Sequence, residues 1–230
     1  MKPNISQHRN ILLKILKDIY SDITLSSLLG FKGGTALYFF YGLDRFSVDL
    51  DFDLLDSSKE RLVFERIEEL ILAHGAIRQK INKKYTIFFL LSYDKGSWNI
   101  KLEINKRNFG SKYEIKNYLG IPMLVMRIED MFAHKLAAIT ERKALASRDI
   151  YDIYFFLRGS YHVNKNIVEK RTGMDFKDYI TKCISYIENI PETRMLSGIG
   201  DLLSEEKKEW IRGNLKKEVI FLLRLLLESK

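Results

Sequence analysis

Residues 32–53 read KGGTALYFFYGLDRFSVDLDFD, and the order of residue types within them sets the fold expected of the chain. The stretch opens on Gly33-Gly34-Thr35 and runs through apolar residues to Gly42. It then passes Arg45 and Ser47 and ends on alternating carboxylates at Asp49, Asp51 and Asp53. Val48, Leu50, Phe52 and Leu54 fill the positions between and beside the acids. Side chains on a strand point to opposite faces with a period of two, so the apolar set faces a core and the three aspartates share the other face. Two residues along a strand separate α-carbons by about 6.5 Å, which lets Asp49 and Asp51 reach one metal site. Like charges crowded into a confined site raise one another's pKa, a penalty that a divalent cation removes. Upstream, Gly33 and Gly34 let a ligand approach the main chain closely. Thr35 is expected to cap a helix over residues 36–41, with Gly42 as its stop. The N–H groups at the start of such a helix form an anion site. The stretch therefore pairs a phosphate-holding turn with an acidic strand.

Gly33-Gly34-Thr35 followed by Arg45-Phe46-Ser47-Val48-Asp49-Leu50-Asp51-Phe52 resembles the nucleotidyltransferase (DNA polymerase β-like) superfamily, whose mark is Gly-Ser or Gly-Thr followed by Asp-x-Asp. The GGT…RxSxDxDF form is similar to the AbiEii-type branch, toxins of type IV toxin–antitoxin and abortive infection systems. The resemblance implies an α+β protein with a mixed or antiparallel sheet flanked by helices, followed by an all-α helical bundle domain. It also implies Mg²⁺ as cofactor, two ions with Mn²⁺ as an alternative, held by Asp49 and Asp51 with help from Glu103. Gly33, Gly34, Thr35, Arg45 and Ser47 are the nucleotide-binding candidates, with the Thr35 hydroxyl and nearby backbone N–H groups on the outer phosphates. The competing phosphate motifs GxxxxGK[ST] and GxGxxG are absent from the sequence.

The 230 residues suffice for one large domain or two small ones, and 46% apolar content with three prolines describes an ordered globular chain. A formal net charge of +8 fits an anionic partner, nucleic acid being the commonest, and is equally compatible with plain solubility. The single cysteine, Cys183, excludes an intrachain disulfide and a cysteine zinc site; its apolar helical setting points to packing. His8, His74, His134 and His162 are scattered without ligand-like pairing. The N-terminus lacks the apolar core of a signal peptide, and the most apolar stretch, residues 219–227, is short and interrupted by Arg224. A cytoplasmic protein with no membrane contact is expected.

Helical spacing marks residues 7–23 and 58–74, the second with Leu62, Ile67, Leu70 and Ile71 inward. Strand-like runs follow at 85–93 and 98–105, joined by a turn at Asp94-Lys95-Gly96-Ser97. In the second run Ile100, Leu102 and Ile104 alternate with Lys101, Glu103 and Asn105. Glu103 is thus either a surface glutamate on a half-buried strand or the third carboxylate, beside the Asp49/Asp51 strand in an antiparallel sheet. In resembling enzymes that acid helps bind metal and orients or deprotonates the attacking hydroxyl. Asp53 exceeds the Asp-x-Asp pattern and is expected at a solvated strand end. Residues 108–121 read as a connection closed by Pro122. Helices follow at 129–145, 147–157, 175–189 and 205–228, which places a nucleotidyltransferase domain at 1–120 and a helical domain at 121–230.

A second constellation contains Lys135, Arg142, Arg148, Asp149 and Asp152. Ala133, Leu136, Ala137 and Ile139 form an apolar stripe. Ser147 is placed to cap the next helix, and Asp149 falls in its first turn, where the dipole favours a negative charge. The same run resembles the Lys…Arg-Asp-x-x-Asp motif of the AbiEii-type branch. That likeness implies Lys135 and Arg148 as nucleotide-phosphate contacts and Asp149 and Asp152 as supports of the active site. The three-residue spacing lets both aspartates point at Lys135 from one helical face.

Three functions follow. The first is transfer of a nucleoside monophosphate from a nucleoside triphosphate to an RNA hydroxyl, tRNA included, under control of a cognate antitoxin. The second is the same chemistry on a small molecule or protein hydroxyl. The third is a nucleic-acid-binding module of the same fold without turnover.

Overall fold

The structure, a computed structural model, describes residues 4–94, 98–141, 147–199 and 203–228. The chain begins with α1 (Ile5–Ser21), whose first turn is capped by the Asn4 side chain accepting from the Gln7 N–H. A single turn, α2 (Leu25–Leu28), leads into β1 (Leu29–Lys32), α3 (Gly33–Phe40), β2 (Leu50–Leu54) and α4 (Glu60–Leu72). Five strands follow: β3 (Ala76–Lys83), β4 (Thr86–Ser92), β5 (Ile100–Asn105), β6 (Tyr113–Tyr118) and β7 (Ile121–Met126). The remainder is helical: α5 (Ile128–Glu141), α6 (Ser147–Arg158), α7 (Lys165–Thr172), α8 (Phe176–Glu188) and α9 (Glu205–Trp210), the last continuing through a π-helical turn at Ile211–Leu215 into α10 (Lys216–Glu228). Two compact units result. One ends at Asn108 and resumes over Lys112–Met126; the other holds Phe109–Ser111 and the chain from Arg127.

The first unit is built on a seven-stranded mixed sheet in the order β3-β4-β5-β2-β1-β7-β6. β2 is antiparallel to β1 but parallel to β5. The parallel pairing with β5 differs from the antiparallel neighbour expected for Glu103. A parallel pair requires a crossover, and α4 with the β3–β4 hairpin supplies it. One sheet face is apolar: Phe31, Phe52, Phe89, Leu102 and Ile104 are essentially inaccessible, as are Leu12, Ile15, Leu16 and Ile19 of α1. The inward stripe of α4 is Val63, Ile67 and Ile71, whereas Leu62 is 44% exposed. Phe64 of α4 packs against Phe89 with ring centroids 5.1 Å apart.

Residues 108–121, expected as a connection, instead contain β6 and the start of β7, which pair from Tyr113↔Met126 to Tyr118↔Ile121. Leu119 and Gly120, both at positive φ, form the reversal. The two strands predicted at 85–93 and 98–105 are present as antiparallel β4 and β5; of the turn proposed between them, residues 95–97 lie outside the described residues.

In the second unit α5 packs on α6, α7 and α8, and α10 on α6 and α8. The Phe132 and Phe156 rings stack at 4.7 Å between α5 and α6. Ala133, Leu136, Ala137 and Ile139 are buried as the stripe predicted. Burial pushes the Cys183 thiol up to about 12, so it stays protonated as a packing residue. Among the described residues, no helix is long and apolar enough to cross a membrane.

Candidate active site

β1 runs directly into α3 without a loop. Lys32 occupies the N-cap position in an extended conformation, so the helix begins at Gly33 rather than after Thr35. The three residues of the Gly-Gly-Thr run therefore form the first turn, whose N–H groups have no acceptor within the helix. Thr35 is fully buried and its hydroxyl donates to the Asp49 carbonyl, tying the first turn of α3 to the entry of β2. The hydroxyl expected on a phosphate is thus engaged within the protein. Gly33 has φ of +80°, and a Cβ there would collide with the Asp51 carboxylate. A Cβ on Gly34 would lie 2.7 Å from the Ser47 Oγ and 3.0 Å from an Arg45 guanidinium nitrogen. Gly33, Gly34, Arg45, Ser47 and Asp51 are therefore one tightly packed group. Arg45 is only 3% exposed, and one of its nitrogens donates to the Phe46 carbonyl at 3.2 Å. Its guanidinium packs against the glycine turn, out of solvent.

Asp51 is the direct cross-strand partner of Glu103 on the parallel neighbour, so the two acids share a face about 4.8 Å apart at the backbone. Asp49 immediately precedes β2, two residues from Asp51 on that face. Asp49 and Asp51 are half-buried and Glu103 is exposed. Among the described residues, no three His, Cys, Asp or Glu side chains form a ready metal cage. The phosphates of a bound substrate commonly complete a Mg²⁺ shell that the protein's carboxylates only begin. The donor set, hard oxygens beside a glycine cradle kept clear of any Cβ, fits such an ion.

Asp53 departs from its expected place at a solvated strand end. It is 6% exposed and receives the Lys32 ammonium at 2.6 Å, the Asn105 amide at 2.6 Å and the Tyr113 hydroxyl at 2.6 Å. Burial alone would raise its carboxyl, but the Lys32 charge and the three hydrogen bonds outweigh burial and hold it below the usual range. Tyr113 reaches Asp53 by lying across Gly30, where a Cβ would strike the tyrosine ring. Lys32, Asn105 and Tyr113 escaped the sequence reading because they come from three different strands. The one available signal was the third aspartate of the alternation.

The second constellation lies in the helical unit. Lys135 of α5 meets Asp152 at 2.7 Å and Asp149 at 3.5 Å across to α6, and both carboxylates are fully buried. The spacing of three does place both aspartates on the lysine, as the helical face requires. Arg148 is half-buried in the first turn of α6. Ser147 donates to the Arg194 carbonyl at 2.5 Å. Arg142 lies outside the described residues. His134 joins Ser111 through Nε2 at 2.7 Å and Arg171 through Nδ1 at 2.9 Å. Because the arginine can only donate, Nε2 carries the ring proton and donates to Ser111, so the pair is no activated nucleophile.

The model of the family described as nucleotidyl transferase AbiEii toxin, type IV TA system, matches residues 14–213. The chain belongs to the AbiEii nucleotidyltransferase family. Two solved structures from Helicobacter pylori resemble the AbiEii chain. One is a nucleotidyltransferase by provisional assignment, with TM-score 0.57 and 22% identity over 96% of each chain. The other is JHP933, with TM-score 0.57 and 23% identity over 98% of this chain and 95% of that one. At that identity the likeness establishes the fold. Comparison with curated proteins gives no match.

Proposed function

We propose that the chain transfers a nucleoside monophosphate from a nucleoside triphosphate to a hydroxyl of RNA, with tRNA as the first acceptor to test. The observation that carries this reading is the Asp51–Glu103 pair set against the Gly33 turn of α3. A helix start attracts phosphate, and paired carboxylates beside it supply metal ligands and a proton acceptor. The first-turn N–H groups of α3 would receive the outer phosphates, with the buried Arg45 adding positive charge. Asp49, Asp51 and Glu103 would hold Mg²⁺, or Mn²⁺ in its place. Two bound metal ions would supply positive charge for both the attacking and the leaving oxygen of an in-line displacement. Glu103 would orient the acceptor hydroxyl and take its proton.

In the helical unit, which we read as a bundle domain, Lys135 and Arg148 are the candidates for nucleotide phosphate. Asp149 and Asp152 would fix the lysine ammonium. The toxin family supports a cognate antitoxin as partner, and we expect the protein in the cytoplasm.

The decisive experiment incubates purified protein with Mg²⁺, total tRNA and each labelled nucleoside triphosphate in turn, beside the Asp51→Asn protein. Label entering RNA with wild type, reduced at least about 1,000-fold by the substitution, is the expected result. Label entering the protein itself would move the reading to a protein hydroxyl. Salt-sensitive RNA binding without any label would leave a binding module.

A further inference from the structure

The sheet carries one cross-strand row whose far end the reading above does not use. Register places Ile81 opposite Phe88, Phe88 opposite Glu103, Glu103 opposite Asp51 and Asp51 opposite Lys32. Lys83 and Thr86 form the next pair along the β3–β4 hairpin, on the same face because the side-chain period is two. A cleft of about 350 Å³ opens there, lined by Ile81, Lys83, Thr86, Phe88 and Glu103. This is within the size range of small-molecule sites. Glu103 thus stands between two different environments. On its β2 side are Asp51 and the glycine turn; on its β4 side is a partly apolar cleft with an aromatic wall.

Ile87 and Phe89 are fully buried on the apolar face, so strand alternation puts Phe88 on the carboxylate face, opposite Glu103, where it is half-buried. Nearby cations are sorted by face. Lys80 and Lys106 are bonded to Glu68 and Glu60 of α4, on the apolar side of the sheet, whereas Lys83 is exposed at the cleft. An aromatic wall, a lysine and a hydroxyl in one groove are the elements that take a nucleotide of a single strand: stacking for the base, charge for the phosphate. The glycine turn is already suited to the triphosphate, so a second nucleotide-sized cleft on the opposite side of the carboxylates suits the other reactant.

We infer that this cleft seats the terminal nucleoside of the RNA acceptor, its base against Phe88 and its phosphate near Lys83. The inference rests on the RNA-transfer reading given above. The seated hydroxyl faces Glu103. Its oxygen forms a bond to the α-phosphorus, the bond from that phosphorus to the bridging oxygen breaks, and the electron pair leaves with pyrophosphate. The hydroxyl proton passes to the Glu103 carboxylate.

The test uses the full chain and a short single-stranded RNA with a fluorescent 5′ label. Binding of the RNA and Mg²⁺-dependent extension by the preferred nucleoside triphosphate are both measured for wild type, Phe88→Ala and Lys83→Ala. Lys83 is exposed, so its substitution does not endanger folding. Loss of base stacking is expected to raise the RNA Kd and the acceptor KM about 10-fold for Phe88→Ala. Lys83→Ala is expected to weaken binding and flatten its salt dependence by about one phosphate contact. The KM for the triphosphate stays within about twofold of wild type in both variants, since the glycine turn is untouched. If wild type extends RNA but neither variant changes the acceptor KM, or the triphosphate KM rises instead, the cleft assignment is overturned while RNA transfer stands. If wild type binds the RNA through Phe88 yet labels only protein, RNA transfer fails while the cleft as an RNA site is supported.

Discussion

Asp53 shows how much one side chain can organise. Its carboxylate gathers Lys32, Asn105 and Tyr113 from β1, β5 and β6, so a single residue of β2 links three other strands. Asp53→Asn removes the anion while leaving the lysine ammonium only 21% exposed. The expected loss is about 2–4 kcal/mol, between the worth of a charged hydrogen bond and that of a broken buried pair. Urea denaturation at neutral pH measures it. Because the folded carboxyl titrates below its unfolded value, its contribution is full above the unfolded pKa and is lost as pH falls through the lowered folded pKa. The wild-type advantage over Asp53→Asn should therefore vanish in acid. Gly33 makes a second residue-scale case. At φ +80° with Asp51 in the path of a Cβ, Gly33→Ala meets both backbone strain and a clash with a metal-ligand candidate. A stability loss of about 1–3 kcal/mol and a large rise in triphosphate Kd are expected, readable by denaturation and calorimetry. The alternation of residues 48–54 revealed the acidic face. It could not reveal what Asp53 meets there, since partners on other strands depend on strand order.

At the scale of elements, the hold on the acidic strand begins with α1. His8 is fully buried in α1; its Nε2 donates to the Val48 carbonyl at 2.9 Å, and its Nδ1 accepts from the Tyr93 hydroxyl at 2.8 Å. The ring is enclosed edge-on by Phe46, Tyr93 and Trp98. The helix thereby pins the segment that delivers Asp49. Burial pushes the His8 pKa below its usual value, partly offset by the bond to Val48. The unfolded chain takes up a proton at His8 near pH 6.5 while the folded one resists, so this stability is full above that pH and declines as pH falls toward the lowered folded value. Urea midpoints from about pH 7.5 to 5 should fall for wild type, and more shallowly for His8→Gln. That variant should also start about 1–3 kcal/mol lower. Long amphipathic elements such as α1, α4, α5 and α8 were legible from their period, and β2 and β5 from alternation. β3 was not, because an edge strand with mostly exposed polar residues has no apolar alternation to read. β1 was hidden by its four-residue length, and β6 by side chains that include the exposed Ile115.

For the molecule as a whole, the division into two units does not follow the proline at 122 that punctuates the sequence. β7 runs through Pro122, pairs with β6 on one side and with β1 on the other, and buries Met123, Val125 and Met126. The Tyr20 hydroxyl lies 3.0 Å from the Leu29 carbonyl and 3.1 Å from that of Leu124, joining α1 to β1 and β7. Removing β7 exposes three side chains worth about 1.5–3 kcal/mol each, and it leaves β1 with an unpaired edge. That sum is comparable to the whole stability of a small domain, about 5–15 kcal/mol. A fragment of residues 1–126 should therefore unfold cooperatively in urea with the strand-rich circular dichroism of a sheet, whereas residues 1–120 should show neither. The segment Phe109–Ser111 belongs to the helical unit, where Ser111 meets His134 and Phe109 lies beside Arg171. In the fragment it should become the most protease-sensitive bond region without lowering the unfolding free energy by more than about 1 kcal/mol. Cooperative folding of residues 1–120 would show that β7 is an appendage of the sheet and not one of the strands that holds β1, and with it the glycine turn, in place.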